Sequence, residues 1–110
     1  MSLRADRARG VAVALDALAD TMCSSRFRRI LGTCWPSRAG LVPAARRAVE
    51  SALAAYGAAV HGDEVATREA AVMHAAVCVE HDHGVDELRE WAQALRRRAD
   101  GWEREARATC

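Results

Sequence analysis

Four long stretches of the chain repeat apolar residues every three or four positions, and few helix breakers interrupt them. That period matches the turn of an α-helix, so each stretch is expected to carry one apolar stripe along a helix. Over residues 2–22 the stripe is Val11, Leu15, Leu18 and Met22. From Pro43 onward it is Val49, Leu53, Tyr56 and Val60. Residues 64–82 are apolar on nearly every side. Residues 85–107 align Leu88, Trp91, Leu95, Ala99, Trp102 and Ala106. Strict alternation is absent and no hairpin turn is written, so strands are not expected.

The breakers fall between these stretches. Cys23-Ser24-Ser25 reads as a short turn, with a serine capping a short extra helix over 26–31 that Gly32 closes. Residues 32–42 hold Cys34, Trp35, Pro36 and Gly40 and read as the one real loop. Pro43 suits the first turn of the second long helix. Gly62 ends that helix and Asp63 caps the third. Gly84 is placed to end the third helix, and Asp100-Gly101 to kink the fourth or end it early. Long helices joined by short links pack as antiparallel neighbours. The expected fold is all-α: a single domain over 1–110, an antiparallel four-helix bundle with one short extra helix.

The apolar fraction is 51%, yet aromatic residues make up only 5% and alanine carries most of the rest. Alanine buries little surface, so the core is thin and a second chain would help stabilise it. A homodimer is therefore expected, with Trp91, Leu95 and Trp102 on its interface. All 16 basic residues are arginine, but 15 acidic residues balance them to a net charge of +1. That balance excludes a strongly basic nucleic-acid arm. Small clusters remain at Arg26, Arg28 and Arg29, at Arg46 and Arg47, and at Arg96, Arg97 and Arg98. A DNA-binding regulator would gather them on one surface to neutralise phosphates. Glutamates around the last cluster favour ion pairs instead, such as Glu103 with Arg107.

No apolar run is long enough to span a bilayer. Arg4, Arg7 and Arg9 before Val11–Leu15 imitate a secretory leader, but Asp16 interrupts the apolar stretch, and an amphipathic first helix is the better reading. Without a leader the cytoplasm is the expected location, and the four cysteines, Cys23, Cys34, Cys78 and Cys110, are expected to be reduced.

One segment has the residue types of a metal site. His74, Cys78 and His81 are spaced four and three apart, which puts them on one helix face. Imidazole and thiolate are ligands for zinc and copper. One helix offers at most three ligands here, so a further ligand would come from Cys23, Cys34, His61 or His83. Val65, Val72, Ala76 and Val79 share one face, opposite His74, Cys78 and His81, and form the expected core stripe. The helix should then be central in the bundle or held against a second subunit, with the ligand face meeting another helix. The same residues also have plain structural uses: histidines suit a helix C-terminus, and cysteine is a small apolar filler. The string His74-x-x-x-Cys78-x-x-His81 resembles the H-x-x-x-C-x-x-C of zinc-binding anti-sigma factors, with His81 in place of the last cysteine. That resemblance implies an upstream cysteine ligand, Cys23 or Cys34. The pair His74 and Cys78 also resembles the H-x-x-x-C of helical copper-sensing repressors.

Catalytic motifs are missing. There is no G-x-S-x-G, no phosphate-cradling glycine loop and no H-E-x-x-H. The expectation is a small non-enzymatic interaction or regulatory module that pairs with itself or another protein. A zinc- or copper-binding bundle and a DNA-binding regulator are the alternatives.

Overall fold

The computed structural model of the chain describes residues 2–30, 41–78 and 84–108. They form four α-helices: α1 (Leu3–Ile30), α2 (Leu41–Ala59), α3 (Glu64–Cys78) and α4 (Val85–Ala108). No strand occurs among the described residues. The fold is the expected all-α, bundle-like arrangement.

Local chemistry sets most of the helix ends. The Ser2 hydroxyl accepts from the Ala5 amide at 3.3 Å and starts α1. Asp63 does the same for α3, its carboxylate accepting from the Ala66 amide at 3.1 Å. The Thr67 hydroxyl donates to the Val60 carbonyl at 3.0 Å, tying the turn to the end of α2. Gly84 sits at the start of α4, where its carbonyl accepts from the Glu87 amide at 3.0 Å. Pro43 lies in the first turn of α2, where its missing N–H leaves no helical bond unmade.

Three expectations about boundaries change. The turn at Cys23-Ser24-Ser25 and the separate helix over 26–31 do not form: α1 runs unbroken to Ile30. Serine lowers helix propensity only slightly, and residues 23–30 contain no glycine or proline to stop propagation. The fourth helix likewise passes through Asp100-Gly101 to Ala108. A single glycine costs about 1 kcal/mol in a helix interior, too little to end one anchored by buried Leu95, Ala99 and Trp102. The expected loop over 32–42 ends earlier, since Leu41 and Val42 already belong to α2; its residues 32–40 and the end of the third helix beyond Cys78 lie outside the described residues.

Helix α1 is the centre of the molecule. It packs against α4 on one side and α2 on the other, while α3 packs mainly on α2. Ala5, Ala8, Ala12 and Ala19 of α1 are all fully buried, alongside Val11 and Leu15. These alanines spread the buried arc of α1 over two flanks, which lets it serve two neighbours. On the other side of the α1–α4 seam from these residues, Leu88, Ala92, Leu95, Ala99 and Trp102 of α4 form its buried stripe and face α1. Val49, Leu53, Tyr56 and Val60 face inward from α2.

Ion pairs run along the α1–α4 seam and show its direction. Arg9 reaches Asp100 at 2.9 Å and Glu103 at 2.5 Å. Asp16 takes Arg96 at 2.6 Å, and Arg89 reaches Asp20 at 2.5 Å. Rising numbers on α1 pair with falling numbers on α4, so the two helices are antiparallel. The molecule is elongated, 56 × 22 × 20 Å with a radius of gyration of 15.5 Å. A compact domain of this length would have a radius nearer 13 Å.

Of the two placements expected for the third helix, central in the bundle or against a second subunit, the first does not hold within the chain. The helix is peripheral rather than central, and its buried face is Ala66, Ala70, Met73 and Val77. Val65 and Val72, expected in the core, are each 61% exposed. Apolar residues on every side leave the rotation of such a helix undetermined by hydrophobicity. Met73 offers more surface to bury than any other described α3 side chain on either apolar face, and it is turned inward.

Candidate functional site

His74 is exposed on α3. His61 is exposed in the turn between α2 and α3. The side chains of Cys78, His81, His83, Cys23 and Cys34 lie outside the described residues. Among the described residues no group of three or more histidines, cysteines or carboxylates converges.

The expected interface residues are placed differently from one another. Leu95 and Trp102 are buried in the chain's own core, and Trp91 is half-buried at its edge. Trp102 is held from two sides. Its ring lies 6.2 Å from that of Tyr56, and the Arg4 guanidinium stands 4.9 Å above it. A cation over an indole face is attractive through the ring quadrupole. Leu95 and Trp102 therefore hold α4 within the fold.

The last arginine cluster is divided. Arg96 is spent on Asp16 of α1, and Arg98 reaches Glu69 of α3 at 2.5 Å. Arg97 alone of the three is exposed. Arg98 also donates toward the Tyr56 hydroxyl at 3.5 Å. Its hydrogen bond to Glu69 holds its proton more tightly than usual, and burial pushes the Tyr56 hydroxyl above the usual tyrosine range. At the α1–α4 seam, the hydrogen bond from Arg9 holds the Glu103 carboxyl below its usual range. These charges act as staples between helices, which leaves less for a phosphate backbone than the sequence suggests.

Among the described residues the surface offers one aligned apolar feature. Val65 and Val72 share a line on α3, with half-buried Ala76 continuing it. Exposed Arg68 flanks the line on one side, and Glu69, paired with Arg98, flanks it on the other. Leu3 and Val13 of α1 are exposed to similar degrees, 60% and 63%, but point to different sides of that helix. Sequence reasoning identified the valine line and assigned it to the core. The signal that α3 was apolar all round was legible, and it implied that some apolar face would stay uncovered. Comparison with models of known families, with curated proteins and with solved structures finds no match.

Proposed function

We propose that this chain is a small non-enzymatic helical interaction module that works as a homodimer. The supporting observation is the exposed pair Val65 and Val72 on α3, away from the face that packs through Ala66, Ala70, Met73 and Val77. Single exposed apolar residues are ordinary on a protein surface. Two on one line, on a peripheral helix of a chain whose core is mostly small side chains, form a strip that gains from being covered. Coverage by a second copy would also add to stability by mass action.

Sedimentation velocity over a range of concentrations tests the reading. The expected result is a reversible shift from monomer to dimer as concentration rises. A single monomeric species throughout would refute it.

A further inference from the structure

We infer that the second copy docks on α3 with the two α3 helices side by side and parallel, about a two-fold axis running along them. The inference rests on the homodimer reading above and specifies its geometry. Val65 and Val72 are seven residues apart. On a helix turning about 100° per residue, that spacing returns to within about 20° of the same direction. In a parallel pair each valine then meets its own copy across the axis.

The flanking charges decide between parallel and antiparallel. Arg68 and Glu69 stand on opposite sides of the valine line. A parallel two-fold sets one flank of a helix against the other flank of its partner. Arg68 then meets the partner's Glu69 at nearly the same height, and the reverse pair forms by symmetry. An antiparallel two-fold sets like flank against like flank, bringing Arg68 toward the partner's Arg68 and Glu69 toward the partner's Glu69. Glu69 already accepts from Arg98 through Oε2, and a carboxylate has lone pairs for a further donor.

The other exposed apolar residues do not make a comparable surface. Leu3 and Val13 are ten positions apart on α1, and the exposed carboxylates Asp6 and Asp20 lie along the same side as Val13. Two copies joined there would bring like charges together. The α3 interface is small, since fifteen residues of helix bury well under the ~1,600 Å² of a standard interface. Association is therefore expected at micromolar concentration.

The test combines sedimentation with photo-crosslinking. Val72→Asp is expected to weaken dimerisation at least about tenfold, and Val13→Asp, an equally exposed control on α1, to leave it unchanged. A benzoyl-phenylalanine at position 72, in a mixture of isotopically light and heavy chains, is expected to attach to the partner near residue 72. Attachment near residue 65 would overturn the parallel arrangement. A dimer that tolerates Val72→Asp would overturn the α3 surface and leave the homodimer reading standing. A chain that stays monomeric throughout would overturn both.

Discussion

Replacing Leu95 with alanine asks directly whether this residue holds the chain together or holds two chains together. Leu95 is 2% exposed within a single copy, in the stripe of α4 that faces α1. The substitution removes three carbons, worth roughly 2.4 kcal/mol at about 0.8 kcal/mol per buried methylene. The cavity left behind adds to this, because helices pinned by ion pairs on the same seam relax only in part, so a loss of about 3 kcal/mol is expected. A domain of this size has about 5–15 kcal/mol in total, so the loss is a large share of it. Urea unfolding followed by circular dichroism at low protein concentration measures it. The midpoint should fall with little change in slope, and Tm should drop by on the order of 10 °C. Val72→Ala, by contrast, should stay within about 0.5 kcal/mol, since that side chain is largely in water. A loss below about 1 kcal/mol for Leu95→Ala, accompanied by weakened dimerisation, would place Leu95 on an interface and refute the assignment to the core.

Three further outcomes follow from the seam between α1 and α4. Glu103 has its folded-state pKa lowered by Arg9, so its contribution is present above the unfolded value near 4.5 and is lost as pH falls through the folded one. Thermal melts from neutral to acid pH should show Arg9→Ala with a shallower acid decline than the parent, and superimposable declines would count against the pair. Asp16→Ala removes the shared acceptor of Arg96 and Arg89 and should cost about 1 kcal/mol, a difference that shrinks in high salt. Equal melting differences at low and high salt would show that the effect is not electrostatic. Ala12→Leu inserts bulk at a fully buried position and should destabilise by about 1–3 kcal/mol, and a gain in stability on denaturant unfolding would mean that the seam has unfilled space.

The helical class and most helix positions were legible because they depend on local chemistry. The stripe Leu88, Leu95, Trp102 predicts the buried face of α4 correctly, since polar residues occupy the other side and only one rotation buries the apolar one. Val49, Leu53, Tyr56 and Val60 of α2 follow the same logic. Asp63 caps α3 as its position after Gly62 implies. The serines of 23–25 misled because a cap residue signals a helix start only where something has ended the helix before it. The candidate metal residues were legible as a pattern, but a shared helix face says nothing about what the neighbouring helices bring to it.

The sequence by itself determined that this chain is built of long helices, where α2 and α3 turn, and which face α4 turns inward. Only the tertiary structure decided that α1 is the shared centre, that Leu95 and Trp102 are spent inside one copy, and that Val65 and Val72 remain outside. The physical reason is the alanine. A helix whose apolar residues are small and widely spread has several rotations of nearly equal burial, so α1 and α3 read alike along the chain. The choice between them falls to the few large side chains, Met73, Tyr56 and Trp102, and to cross-helix pairs such as Arg98 with Glu69. Those partners are distant in sequence, and their meeting is a property of the packed molecule.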